Sequence, residues 1–205
     1  MDFLRLLAAG RCGVLDAVFS GLTYFGSEIA FMAAALLIFW CVDKRQGYYV
    51  FLVGALGTVC NQFLKLAFRI PRPWVLDPDF QIVEAARADA TGYSFPSGHT
   101  QNIVGTTASI FASRKEAWVR IVCVVLMLLV PFSRMYLGVH TPLDVGVAFL
   151  TALALAAALY PAFRTESAAK KTVPWLLLGV AVLCGGYLIY ASVSYTHLRA
   201  HETTL

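Results

Sequence analysis

Three short blocks of the chain hold residue types that can transfer a phosphoryl group. Lys65 stands seven positions before the pair Arg72-Pro73, and 22 residues after that pair comes Pro96-Ser97-Gly98-His99. After a further 33 residues comes Ser133-Arg134, with His140 and Asp144 completing the block. The patterns are K-x6-R-P, P-S-G-H and S-R-x5-H-x3-D. Phosphoryl transfer asks a protein for an in-line nucleophile, positive charge on the equatorial oxygens and a proton for the leaving oxygen. The blocks supply a group for each.

His140 and Asp144 are related as i, i+4, and Thr141-Pro142 between them has the form of an N-cap followed by proline at the first helical position. A helix beginning there lets the carboxylate accept a hydrogen bond from one ring nitrogen of His140, leaving the other nitrogen unprotonated as the nucleophile. The plain alternative for such a pair is a satisfied helix cap. Ser97 stands where it can cap the apolar stretch that follows, turning the first N–H groups, at Gly98 and beyond, toward an anion. His99, beside that cradle, is placed to protonate the leaving oxygen, since imidazole titrates near neutral pH. Lys65, Arg72 and Arg134 bring fixed positive charge, the arginines as planar forks that match two phosphate oxygens. Ser133 offers one more donor. Taken singly each piece has a bland reading: Lys65 as a snorkelling lysine, Pro-Ser-Gly as a turn.

In this order and together, the three blocks resemble the type-2 phosphatidic acid phosphatase superfamily, the membrane lipid phosphate phosphatases related to the vanadium haloperoxidases and bacterial acid phosphatases. The likeness spans about residues 25 to 160 and matches every motif position. It implies that His140 attacks phosphorus through a phosphohistidine intermediate and that His99 serves as the acid. It also implies that Lys65, Arg72, Ser97, Gly98 and Arg134 bind phosphate. Neither metal nor other cofactor is expected, because two-metal phosphatases need several carboxylates and the blocks contain only Asp144.

The elements that carry these residues are those of a bilayer protein. Of 205 residues, 59% are hydrophobic, well above the roughly 45–50% of a soluble domain. Apolar stretches run over roughly 25–42, 48–68, 97–113, 118–132, 142–160 and 173–193, several close to the ~20 residues of a spanning helix. The polar hairpin Ser113-Arg114-Lys115-Glu116 separates the third from the fourth, although one long buried helix is the alternative. The expectation is an all-α, polytopic membrane helix bundle of about six spans, a single domain over 1–193 with its core motifs in 65–144. Residues 3–25 mix Arg5, Arg11 and Asp16 with apolar positions at helical period and predict an interfacial helix. Gly10-Arg11-Cys12-Gly13 interrupts any signal-peptide core. The tail 194–205 departs in composition and reads as a foreign or read-through end; its His197 and His201 lack partner ligands for zinc.

If all six stretches cross, the connectors holding Lys44 and Arg45, Arg114 and Lys115, and Arg164, Lys170 and Lys171 share one face, which positive-inside bias puts in the cytoplasm. The other face receives the connectors 69–96 and 133–141. The chemistry is therefore expected on the extracytoplasmic side of a plasma membrane, the inner membrane of a bacterium. The net charge of +4 follows from the same basic connectors and gives no argument for nucleic acid. Five scattered cysteines without CxxC spacing read as small hydrophobes. Asn61, Gln62, Gln101 and Asn102 within spans read as interhelical hydrogen-bonding groups or as lining of a substrate path. Trp40, Trp74, Trp118 and Trp175 fall near span ends, as aromatic belts do. The loop 74–93 is expected to shape substrate choice.

The function expected is hydrolysis of a lipid phosphate or diphosphate, such as undecaprenyl diphosphate, phosphatidylglycerol phosphate or phosphatidic acid, with membrane lipids as the other partners. A phosphotransferase using the same site is one alternative. A transporter or scaffold binding anionic headgroups is another, but it leaves two histidines and an aspartate unexplained. Oligomeric state has no signature in the sequence.

Overall fold

The computed structural model describes the backbone of residues 1–202 and side chains as far as residue 192. The atypical tail therefore lies outside the residues whose side chains are described. Regular structure among the described residues is entirely helical: α1 (Asp2–Ala9), α2 (Gly13–Thr23), α3 (Glu28–Cys41), α4 (Lys44–Phe68), the single turn α5 (Pro73–Leu76), α6 (Gly98–Ser113), α7 (Ala117–Tyr136), α8 (Pro142–Leu159) and α9 (Glu166–Glu202).

Four segments are long and apolar enough to cross a membrane: Lys44–Leu76, Ala117–Tyr136, Pro142–Phe163 and Glu166–Ser192. The pair Gly13–Gly26 and Glu28–Cys41, bent by 52° at its break, passes the same test only when taken together, and makes a fifth if the two form one span. At 16 residues α6 is shorter and more polar, about 24 Å long at 1.5 Å per residue. It nevertheless leads from the end where α4 stops to the end where α7 begins, which brings the total to about six.

The polarity of α6 follows from its place. It packs against α4, α7 and α8, and every residue from Thr100 to Ser109 is buried. A helix shielded from lipid by its neighbours has no need of an apolar surface, provided its polar groups are bonded. Thr107 and Ser109 return hydrogen bonds to the carbonyls of Ile103 and Gly105. Thr151 of α8 donates to Gln101 Oε1 at 2.8 Å, and Asn102 Nδ2 donates to the Gly26 carbonyl at 3.3 Å. These are the interhelical bonds that mid-span amides predict. On α7 the sides are reversed: Trp118, Ile121, Val125 and Leu128 face outward, while Ser133 and Arg134 face the bundle.

Local chemistry sets the helix ends. Asp43 caps α4 by accepting from the Gln46 N–H at 2.8 Å. The helix stops at Phe68 because Arg69 turns left-handed, with φ 50°, and Ile70 precedes Pro71. Thr141, Pro142 and Asp144 start α8 with a full capping box. Between α3 and α4 the close approach requires Gly54, where a Cβ would stand 2.1 Å from the Phe31 ring.

The N-terminal segment is subdivided where one interfacial helix is expected. Gly10 ends α1 and the extended Cys12 starts α2, so only α1 stays outside the candidate spans while α2 joins α3. Leu4 of α1 packs with Phe80, Tyr136 and Leu137, and Arg5 pairs with Asp77 at 2.7 Å. The segment thereby covers the end of the bundle that holds the long connector.

Candidate active site

The end of α4, the start of α6 and the turn before α8 meet around a cavity of about 550 Å³. Lys65, Arg72, Gly98, His99 and His140 line it, with Thr91, Gly92 and Tyr93 of the long connector and Tyr187 of α9. The two histidines thus share one chamber at one end of the bundle. Part of the 74–93 loop forms its wall.

His140 is 2% exposed, and its Nε2 lies 3.0 Å from Arg72 Nη1. A guanidinium only donates, so Nε2 must accept, which puts the ring proton on Nδ1. Nδ1 faces Asp144 Oδ2 at 3.6 Å, an electrostatic approach longer than a hydrogen bond. Oδ2 instead accepts from the Thr141 N–H at 2.7 Å and from Ser94 Oγ at 2.6 Å. One carboxylate is therefore both the cap of α8 and the neighbour of the imidazole. Burial holds His140 well below the ordinary imidazole pKa; the Asp144 carboxylate opposes this, and the charges of Arg72 and Arg134 reinforce it. Burial thus favours the neutral ring.

Arg72 organises the chamber as much as it charges it. Its Nε donates to the Gly92 carbonyl at 3.0 Å, Nη2 to that of Thr91 at 2.7 Å and Nη1 to that of Val139 at 3.1 Å. Lys65 Nζ donates to the Tyr93 carbonyl. The two cations of the first block thereby hold the long connector against the turn that carries His140.

Arg134 is fully buried, with Nη1 donating to Thr23 Oγ1 at 2.8 Å. Its Nε and Nη2 have no partner among the described residues. Unpaired cationic N–H groups inside a helix bundle are costly, and an anion between the helices would satisfy them. Ser97 accepts from the Thr100 N–H at 3.4 Å, as the cap of α6, and its own N–H donates to the Asp144 carbonyl at 3.1 Å, joining the second block to the third. His99 Nε2 is buried without a partner among the described residues. Ser133 Oγ donates to the Val130 carbonyl at 2.6 Å, so its proton points into its own helix. Ser97, Ser133, Arg134 and Asp144 are buried but are not part of the cavity lining.

Several contributors carry no sequence signal. Ser94 and Thr23 are ordinary hydroxyl residues whose partners lie 50 and 111 positions away. Arg11 reaches across from the N-terminal segment to the carbonyls of Tyr136 at 2.9 Å and Gln81 at 2.6 Å. It braces the turn 137–139, where Gly138 takes φ 82° and a Cβ would stand 2.7 Å from Arg11 Nη2. Asn61, 3% exposed, lines the cavity with both amide atoms unpartnered among the described residues. Among the described residues no three His, Cys, Asp or Glu side chains gather as a metal site needs.

Comparison with known proteins identifies the family. The family model described as the PAP2 superfamily matches residues 46–168. The chain is 33% identical over 137 residues to undecaprenyl-diphosphatase BcrC of Bacillus subtilis, covering 63% of this chain and 67% of that protein. It is 26% identical over 151 residues to an undecaprenyl-diphosphatase of Sulfolobus acidocaldarius, covering 73% and 71%. The crystal structure of Aquifex aeolicus LpxE superposes with a TM-score of 0.68 at 25% identity, covering 78% of this chain and 93% of that one. The segment matched by the family model holds all three blocks and most of the cavity wall they build, and the chain belongs to the PAP2 superfamily.

Proposed function

We propose that the protein is a membrane lipid phosphatase that removes phosphate from a lipid phosphate or diphosphate by double displacement at His140. The observation that carries this reading is the unprotonated His140 Nε2 at the wall of a chamber that also holds His99, Lys65 and Arg72. Nε2 attacks phosphorus while the bond from phosphorus to the leaving oxygen breaks, and His99 gives that oxygen a proton. The phosphoryl group then sits on His140. Water attacks it, His99 takes the water's proton, the N–P bond breaks, and inorganic phosphate leaves with both rings restored. Lys65, Arg72 and the free N–H groups of Arg134 and α6 neutralise the oxygens, the work a metal performs in other phosphatases.

The names of the relatives favour a polyprenyl diphosphate as the first substrate to try, and the bundle suits a lipid tail lying between helices. Basic connectors at the opposite end support a site on the extracytoplasmic face of the plasma membrane. Purified protein in detergent, assayed on a panel of lipid monophosphates and diphosphates with and without EDTA, tests the reading. Phosphate release that survives the chelator and disappears in inserted, folded His140→Ala is expected. Turnover retained by that variant removes the nucleophile, and inhibition by EDTA revives a metal route.

A further inference from the structure

We propose that the opposite end of the bundle holds a second site, for an anionic phospholipid of the leaflet away from the active site. A cavity of about 540 Å³ lies there between the start of α4, the turn joining α6 to α7 and the turn joining α8 to α9. Arg45, Arg114, Lys115, Arg120 and Arg164 line it, against only two carboxylates, Asp43 and Glu116. Arg114 pairs with Glu116 at 2.7 Å and Arg45 lies 4.0 Å from Asp43. Lys115, Arg120 and Arg164 have no carboxylate within 4.0 Å among the described residues, so the cavity keeps an excess of positive charge.

A second cleft, of about 450 Å³, lies beside the first, walled by residues of α4, α6, α7 and α8. Tyr49, Ala112 and Tyr160 line both, so the two spaces adjoin. The walls of the cleft include Val124, Met127 and Leu153, and its depth comes from a run of small side chains, Ala108, Ala112, Ala156 and Ala157. Each space is within the ~300–1,000 Å³ of ligand-sized clefts. Positive-inside bias explains basic residues at this end, but not their closure around a cavity that adjoins an apolar groove.

The combination fits one ligand chemistry. A phosphodiester headgroup accepts from the guanidinium and ammonium donors, and its acyl chain fills the alanine-lined groove. Free phosphate would leave the groove unfilled; a zwitterionic lipid would bring no net charge to the cations. The headgroup would also tie together three turns that Arg45 already begins to join, since its Nη1 donates to the Arg164 carbonyl at 3.0 Å. A bound lipid should therefore raise the stability of the whole bundle.

Thermal unfolding in detergent, with phosphatidylglycerol, phosphatidylcholine or inorganic phosphate added, tests the site alongside native mass spectrometry of retained lipid. Phosphatidylglycerol should raise the melting temperature by several degrees and stay bound, while the other two should not. The triple variant Arg45→Gln/Lys115→Gln/Arg164→Gln and, separately, Ala157→Phe, which fills the exposed groove without disturbing the core, should each weaken retention by about tenfold or more. Both variants lie far from the catalytic chamber, so their response separates this site from any lipid held there. Equal shifts with phosphatidylcholine and phosphatidylglycerol, or with inorganic phosphate and phosphatidylglycerol, would overturn the proposal. So would a phosphatidylglycerol shift that survives in both variants.

Discussion

Arg72 Nη1 stands 3.0 Å from His140 Nε2, so the lone pair assigned to attack phosphorus is also the acceptor of an arginine N–H. A phosphate oxygen is a far stronger acceptor for that N–H than an imidazole nitrogen. Substrate arriving in the chamber therefore draws the donor to itself and frees the nucleophile in the same event. Arg72→Lys keeps the charge but loses the planar fork that holds the carbonyls of Thr91, Gly92 and Val139. A fall in kcat/KM of about tenfold or more is expected, at an average hydrogen-bond loss of roughly 1.5–3 kcal/mol. Steady-state kinetics on a lipid phosphate check this; a lysine variant of full activity would show that the fork has no part.

Ser94 is the residue that a motif search passes over. Its Oγ donates to Asp144 Oδ2 at 2.6 Å in a site closed to water, and that oxygen also faces the Nδ1 proton of His140. Ser94→Ala removes one of the carboxylate's two hydrogen-bond donors, at a cost of about 1–2 kcal/mol, or a five- to thirtyfold loss. The loss should appear in kcat with KM nearly unchanged, because Ser94 acts through Asp144 rather than on substrate.

The turn before His140 is held in a conformation that only glycine takes cheaply. Gly138→Ala must bear a left-handed φ of 82°, costing roughly 1–2 kcal/mol, and must also push aside the guanidinium of Arg11. Both the melting temperature in detergent and the turnover should drop. Arg11→Ala added to Gly138→Ala should recover part of the steric loss, so the double variant should be less destabilised than the two single losses added together.

The pH profile follows from the burial of His140. A ring held well below the ordinary value near 6.5 stays unprotonated, and so nucleophilic, as pH falls through that value. The acid limb of kcat/KM that belongs to the enzyme, measured against the substrate's own titration, should lie below about pH 6.5. A limb at or above that value would mean that the ring is protonated in the resting protein.

Much of this architecture was legible in the chain because membrane burial leaves few places for charge. Lys65, Arg72, His99, Arg134, His140 and Asp144 are conspicuous in apolar surroundings, and Pro71, Thr141 and Pro142 mark where their helices must stop or start. The polar centre of α6 was harder to read, since hydropathy measures contact with lipid and α6 is buried among its neighbours. Motif spacing puts Ser133 beside Arg134 but does not say which way its hydroxyl points, and here it donates to the Val130 carbonyl. Ser94, Thr23 and Arg11 could not be found at all, because serines, threonines and surface arginines are common and their partners are set by the tertiary fold alone.

The steric course at phosphorus is the most direct test of the central claim. A lipid phosphate made chiral at phosphorus with sulfur and oxygen isotopes, hydrolysed in isotopic water, reports the number of displacements whether or not an intermediate accumulates. Two in-line steps through His140 predict net retention of configuration. Net inversion would mean that water attacks the lipid phosphate in a single step, contradicting the histidine nucleophile.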